Sequence, residues 1–406
     1  MMVIMSFEIR EPRTADEAEQ SRRLSHEAFG MPDQQPTEPA ELTSPGAVTW
    51  AAFDGDRMAA RMTDRDYDSW FGGKLVRTSG IGGVTVAMED RGRGLLRPLF
   101  ERLFAGAVER GAVLSTLYPS ASGIYRRLGY EVIGTAEDAR LPIAALARVR
   151  RPSTVRTRRA RVGDAPAIRS VYDRWAAAHN GPLSRRGASF PVADDELINH
   201  FTGVTVAETD AGVVGYMSWD RGQGFGQSAG VKVSDLLADT ADGYRALLAD
   251  LGSYGGLLGE LSITTSGLDL VRHLLPASDW RTDENSPYML KILDVCGALT
   301  ARGYSLGLTT TLDFAVEGDP ITGIDGRYRL TVDEGKASCE RLGDHDRSAA
   351  PDSLPTFTPN GLAIAYAGSQ SMVGIRATGG LTGPDADDDL WALTFAGRPV
   401  RIHDHF

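Results

Sequence analysis

Cysteine is scarce: the 406-residue chain has two, Cys296 and Cys339. Two thiols make neither a disulfide framework nor, alone, a zinc site, and nothing requires an oxidising compartment. No run approaches the ~20 apolar residues of a membrane span. The apolar start, residues 1–7, is short, lacks the basic segment of a secretory signal, and reads as a lead into a strand. These absences predict a cytoplasmic protein with no membrane partner. A positive surplus is missing too: 43 Lys and Arg face 54 Asp and Glu, a formal net charge of −11. Such a chain repels phosphate backbones, so no nucleic acid partner is expected. The acidity mildly favours cationic small molecules. The tail holds His403 and His405, but no cysteine or carboxylate stands at ligand spacing, so no metal is expected.

What is present is an ordinary globular composition, 42% hydrophobic and 24% charged, with length for two to four domains. The first region, residues 1–150, opens with a strand at 7–10. Thr14 to Glu17 form a capping box that starts a helix running to about residue 28. Strands follow at 48–53, 59–66, 74–79 and 81–87, with Gly72-Gly73 as a turn. Apolar residues at Leu95, Leu96, Leu99, Phe100, Leu103, Phe104 and Ala107 predict a helix over 95–110. A strand at 113–117, a short helix that Ser120 can N-cap, and extended structure from Tyr130 complete it.

After the linker Arg150 to Ser153 the order strand, helix, hairpin, helix repeats over residues 151–288, at 155–160, 165–177, 204–219 and 242–251. This predicts a degenerate internal duplication, visible in pattern more than in identities. Residues 289–406 differ: a helix at 295–302, strands at 312–316 and 328–332, helices at 359–366 and 387–395, and an acidic loop at 382–389. That is an α+β pattern.

The informative stretch is 84–97, where a strand runs into the turn Arg91-Gly92-Arg93-Gly94 and the turn opens the long helix. Helix-terminal N–H groups make a ready site for a pyrophosphate. Gly92 and Gly94 permit close backbone approach, and Arg91, Arg93 and Arg97 add countercharge. A structural turn with solvated arginines is the plain alternative. The turn lacks Gly-Lys-Ser/Thr and does not follow G-x-G-x-x-G, which excludes a Walker loop and a dinucleotide fingerprint. Downstream, residues 120–130 carry Tyr125, either a packing residue or a proton donor if it faces a cleft.

Residues 84–97 followed by 120–130 resemble motifs A and B of the GNAT acetyltransferase superfamily. Leu96 departs from the small residue usual at its place. The variant Arg93-Gly94-Leu95-Leu96-Arg97 resembles the Eis (enhanced intracellular survival) family. So do residues 168–175, Trp280-Arg281, residues 302–304, and the ending 395–400 with terminal Phe406, so the resemblance covers nearly the whole chain. It implies α/β and α+β architecture: two tandem GNAT-like mixed-sheet regions, the second degenerate, followed by a sterol-carrier-like domain. It implies acetyl-CoA as cosubstrate and a small-molecule amine acceptor, polycationic and aminoglycoside-like, with protein lysines and polyamines as other possibilities. It also implies a homohexamer, a trimer of dimers. Val84, Thr85 and Val86 would then meet the pantetheine arm, and Gly92, Arg93, Gly94, Leu95, Leu96 and Arg97 the pyrophosphate. Ser120 and Ala121 would lie near the thioester, Tyr125 would protonate the leaving thiolate, and the α-carboxylate of Phe406 would deprotonate the amine.

Without the resemblance a chain end is most simply frayed and functionless. Direct amine attack on a thioester needs no covalent enzyme intermediate, so the lack of a Ser-His-Asp or Cys-His set does not count against it. Another reading is a binding protein whose third region carries a hydrophobic ligand beside a vestigial transferase. The intact turn and Tyr125 argue against it. His26 and Asp404 are weighed as acceptor contacts and left unassigned.

Overall fold

In the first two regions the alternation of short strands and amphipathic helices read from the sequence folds around one continuous sheet. The computed structural model describes residues 7–30, 41–267, 269–275, 280–343 and 354–406. The first region comprises β1 (Glu8–Arg10), α1 (Ala15–Phe29), β2 (Ala47–Asp54), β3 (Arg57–Phe71), β4 (Lys74–Val86), α2 (Leu96–Glu109), β5 (Leu114–Leu117), α3 (Ser122–Arg126) and β6 (Glu131–Pro142). The second comprises β7 (Arg156–Arg159), α4 (Ala165–Ala177), α5 (Asp194–Asn199), β8 (Gly203–Thr209), β9 (Gly212–Arg221), β10 (Gly226–Ala238), α6 (Ala241–Gly252), β11 (Leu258–Thr265), α7 (Val271–Leu274) and β12 (Arg281–Ile292). The third comprises α8 (Val295–Ala301), β13 (Thr310–Val316), β14 (Gly326–Asp333), β15 (Lys336–Leu342), β16 (Thr356–Phe357), α9 (Pro359–Ala367), α10 (Met372–Ala377), β17 (Leu381–Thr382) and α11 (Asp388–Phe395).

The large sheet has the order β1-β2-β3-β4-β5-β12-β6-β11-β10-β9-β8-β7. Its halves mirror each other. β4 pairs parallel with β5, and β10 parallel with β11. The closing strands are exchanged: β12, from the second region, lies beside β5, and β6, from the first, lies beside β11. Neither half then leaves its parallel pair as an open edge. β12 crosses position 288/289, where the sequence suggested a boundary, because its pairing with β5 and β6 is non-local. The third region forms a separate five-stranded sheet, β15-β14-β13-β16-β17, under α8, α9 and α11. Trp391, Phe314 and Phe357 fill its interior with rings 5.2–6.1 Å apart.

Two expectations change. Residues 74–86 form one strand, not two, because Gly80, Gly82 and Gly83 make a bulge instead of a break. Gly83 takes φ +59°, and β4 carries one extra residue between Gly82 and Thr85, opposite Thr63 and Arg61 of β3. Ser120 does not cap α3: the N-cap is Ala121, with no side-chain cap. The turn at Gly72-Gly73 and the Thr14 cap on α1, 3.2 Å from Glu17 N, are as read.

The regions are tied by buried polar groups. Asn180, fully buried, accepts from Gly72 N and donates to the carbonyls of Ala367 and Arg398, and so joins all three. Lys291 on β12 and Asp319 in the third region are both fully buried and 2.6 Å apart.

Candidate active site

β4 and β5 pair only from Thr78–Leu114 to Ile81–Leu117; β4 then runs on to Val86 while β5 ends. This fork leaves Val84, Thr85 and Val86 without a neighbour on the β5 side. The hydroxyl of Thr85, buried, has no hydrogen-bond partner.

Beyond the fork the turn has the predicted character. Gly92 and Gly94 take φ +79° and +77°, and a Cβ at either would meet nothing within 4 Å. Leu95 sits at the start of α2 with no side-chain cap, so the first N–H groups of the helix stay open. Leu95 is buried in the core and Leu96 packs against it, so these two offer backbone only. The arginines are less available than the sequence suggested. Arg93 donates to Asp90 at 2.6 Å, and Arg97 donates to Glu101 at 3.0 Å and to the carbonyl of Pro320 at 2.8 Å.

Tyr125 lies on the α2 face of the sheet, buried between Phe100 and Tyr130 with edge contacts of 6.2 Å to each. Burial raises its phenol above the ordinary tyrosine range, opposed by a hydrogen bond with the Ser120 hydroxyl. It therefore stays protonated at neutral pH. Ser120 and Ala121 are exposed and follow the end of β5 at Leu117 by three and four residues.

The chain's end lies on the other face. The Phe406 ring packs on Tyr67, Tyr118 and Tyr288 at 5.0, 5.7 and 6.2 Å. A Cβ at Gly80 would lie 3.0 Å from that ring, and one at Gly82 would lie 3.9 Å from the Phe406 carbonyl-type oxygen. The terminal group thus rests on the glycine bulge of β4, beside the fork.

The second region holds this tail, which the sequence reading missed. Arg401 N donates to the Asn180 carbonyl at 2.9 Å, and Ile402 N to Ser266 at 3.0 Å. His403 Nε2 lies 2.7 Å from Asp235 Oδ1. Asp404 accepts from Tyr172 and Arg185, each at 2.7 Å, so it is neither a solvated charge nor free for an acceptor. Tyr118 donates to the Asp404 carbonyl at 2.7 Å. Arg185 adopts φ +42°, a left-handed conformation costly for a residue that carries a Cβ, and is held there by two 2.8 Å bonds to Asp235. Burial opposes the charge of Asp235, but Arg185 and His403 outweigh it and keep the carboxyl below its ordinary range. No motif marks these residues; only the proximity of Asp404 to the end hinted at them.

A cavity of about 260 Å³ opens in the second region against Tyr172, Arg185, Phe190, Leu197 and Tyr216. It borders the fork through Phe190, whose ring is 5.2 Å from Tyr67, but holds none of the fork's groups. Among the described residues no cluster of His, Cys, Asp or Glu could hold a metal ion, and no helix is long and apolar enough to cross a membrane.

Residues 8–133 match the acetyltransferase (GNAT) domain family, and residues 295–400 the sterol carrier protein domain family. An uncharacterized N-acetyltransferase of Streptomyces avermitilis is 27% identical over 399 residues, 92% of each chain. The N-acetyltransferase Eis of Mycobacterium tuberculosis is 28% identical over 283 residues, 65% of this chain and 66% of that one. The crystal structure of a GCN5-related N-acetyltransferase from Kribbella flavida aligns with a TM-score of 0.83 at 25% identity, over 99% of this chain and 98% of that one. A GNAT domain at residues 8–133, a sterol-carrier-type third region and relatives of this kind along its length support an N-acetyltransferase of the Eis type within the GNAT superfamily.

Proposed function

We propose that the chain moves an acetyl group from acetyl-CoA to a primary amine at the β4–β5 fork, with Tyr125 as general acid and the α-carboxylate of Phe406 as general base. The observation that carries this is the lodging of Phe406 against Gly80 and Gly82, where the strands part. A frayed terminus would need no such seat, nor the five side chains that fasten residues 402–404. In this reading residues 1–150 carry the transfer, residues 151–288 brace the tail, and residues 289–406 deliver it.

The residues present fit the cosubstrate. The open glycine turn and uncapped start of α2 suit a diphosphate held by backbone N–H groups. Because Arg97 is engaged by Glu101 and Pro320, the Gly92–Leu96 backbone carries more of that work than the arginines. The free side of Val84 to Val86, with the unpartnered Thr85 hydroxyl, suits the pantetheine amides. Acetyl-CoA itself supplies the activated acyl carbon. An amine of pKa near ~10 is mostly protonated at neutral pH and must lose a proton before it attacks. The Phe406 carboxylate both attracts the ammonium and accepts that proton, directly or through water. Tyr125, kept protonated by burial, donates to the departing sulfur, and Ser120 orients its hydroxyl.

By the same family likeness the working unit is a homohexamer, three dimers, which light scattering tests. The likeness and the overall charge of −11 would by themselves give a polycationic acceptor, but Arg61 and Arg65 on β3, beside the fork, act against one. The hydrophobic-carrier reading loses support, because aromatic rings occupy the third region's interior.

The test is thiol release from acetyl-CoA with a panel of primary amines, for the native chain and for one lengthened by a few residues after Phe406. Turnover in the first and none in the second, with both chains folded by circular dichroism, is the expected result. Full activity in the lengthened chain removes the terminal base, and no release with any amine removes the transferase reading of the site.

A further inference from the structure

We propose that the acceptor amine also carries an anionic group, a carboxylate or phosphate, and that Arg61 and Arg65 on β3 bind it; this rests on the acetyl-transfer reading of the fork. Side chains alternate along a strand, so Arg61, Thr63, Arg65 and Tyr67 share one face of β3. That face is the one on which Phe406 lies, since Tyr67 and Phe406 are in ring contact at 5.0 Å. The opposite face, with Ala60 and Met62, packs on α2. The two arginines therefore stand on the side from which the terminal carboxylate would meet an amine.

Arg61 lies at the fork itself. It pairs across the strands with Thr85, and its guanidinium covers the bulge: a Cβ at Gly83 would stand 3.2 Å from Nη1 and 3.3 Å from Cζ. The guanidinium donates only to two neutral hydroxyls, Ser25 on α1 and Thr63. Its Nε is buried without a partner. Among the described residues neither Arg61 nor Arg65 forms an ion pair with any carboxylate, the terminal one included. The acids nearby are committed elsewhere: Asp64 and Asp66 to Arg110, and Asp404 to Arg185 and Tyr172. Burial and then the charge of Arg65 pull Arg61 down to about 10, still protonated at neutral pH.

A largely buried guanidinium without a counterion is costly. The cost is relieved when a ligand brings the counterion, and the planar fork of donors suits carboxylate or phosphate oxygens. The site then offers two opposite charges to one molecule: Phe406 for the ammonium and the Arg61–Arg65 pair for the acid. A polycation would instead bring its extra charges against two guanidiniums. The chain's net charge does not decide this, because at contact range the local charges outweigh the distant, screened ones.

The experiment compares pentylamine, cadaverine and δ-aminovalerate, matched in length but bearing no second charge, a second cation or an anion. Expected is the highest kcat/KM with δ-aminovalerate. Arg61→Gln should lower that value at least about tenfold more than it lowers the value for pentylamine, chiefly through KM, and Arg61→Lys should restore part of it. A preference for cadaverine, or an equal loss for all three amines, overturns the proposal. Calorimetry with glutarate, which cannot be acetylated, reads the same site without turnover. Binding weakened about tenfold in Arg61→Gln is expected, and no binding to the native chain overturns the proposal. Absence of thiol release with every amine, with glutarate still bound through Arg61, would strike the transferase reading of the fork and leave the anion site standing.

Discussion

Arg185 Nε donates to Asp404 Oδ1 at 2.7 Å, a bond between residues 219 positions apart that fastens the chain's end to the second region. Two residues beyond it stands Phe406. If the terminal carboxylate is the base, its placement depends on this bond. Asp404→Asn keeps the shape and a hydrogen-bond acceptor for Tyr172 but removes the charge that Arg185 holds. The variant is expected to lower kcat between about 10- and 100-fold, the usual loss when a reacting group shifts by an ångström. KM for acetyl-CoA should stay within about twofold, because the turn at Gly92–Gly94 is untouched. Steady-state thiol release checks both values. An unchanged kcat would mean that the tail holds its place without Arg185.

Tyr125→Phe removes one hydroxyl and leaves the ring contacts with Phe100 and Tyr130 in place. It is expected to lower kcat roughly 100-fold, the effect of a lost general acid, with little change in KM for acetyl-CoA. Because burial raises the phenol, the native enzyme should show no loss of rate from Tyr125 ionisation up to about pH 10. A variant with native kcat would place the proton source elsewhere.

Local elements were legible where a local signal exists. The helix at Ala165–Ala177 was read to the residue, and the β8–β9 hairpin was read from its strands and its turn. β15 was missed, since its alternation is largely polar, with Lys336, Ser338, Glu340 and Arg341 around a few small or apolar residues. The strand β4 was split in two because glycine reads as a break, while here it supplies a bulge. The exchange of β12 and β6 has no local trace, because it is decided by which edges remain to be covered. The glycine turn and Tyr125 were visible as residues in a spacing. Asn180, Arg185, Asp235 and Arg61 were not, because each matters through partners brought from distant segments or through the lack of one.

Glu17 gives a pH dependence with a definite sign. Its bidentate bonds from Arg10, 2.7 and 3.0 Å, lower the carboxyl; burial opposes them, and the Arg13 N–H lowers it further, to about 2 from an ordinary 4.5. The folded chain therefore binds this proton less readily than the unfolded chain. The stabilisation is complete above about pH 4.5 and is lost as pH falls toward 2. Allowing for solvent screening at the start of α1, it amounts to about 1–2 kcal/mol. Glu17→Gln should reduce stability by that much at pH 7 and flatten the acid side of the stability curve, read by urea melts between pH 2 and 7. Parallel curves for the two chains would show that Glu17 is not the linked group.

Cys296 on α8 and Cys339 on β15 hold their sulfurs 2.7 Å apart as free thiols. They are the chain's two cysteines, and they come together across 43 residues. At that separation a small movement reaches bonding distance, so oxidised glutathione should convert them to a disulfide: one sulfur–sulfur bond forms, two thiol protons leave, and glutathione is reduced. The attacking species is the thiolate, and burial raises both thiols above the usual cysteine range, so the reaction should be slow at neutral pH and quicken as pH rises. Closing a loop of this length constrains the unfolded chain and should stabilise the third region by about 2–4 kcal/mol. Intact-mass measurement should show the loss of two hydrogens, with a higher melting temperature that Cys339→Ser abolishes. Two titratable thiols after prolonged oxidation at alkaline pH, with no change in melting, would show that α8 and β15 do not bring the pair into reach.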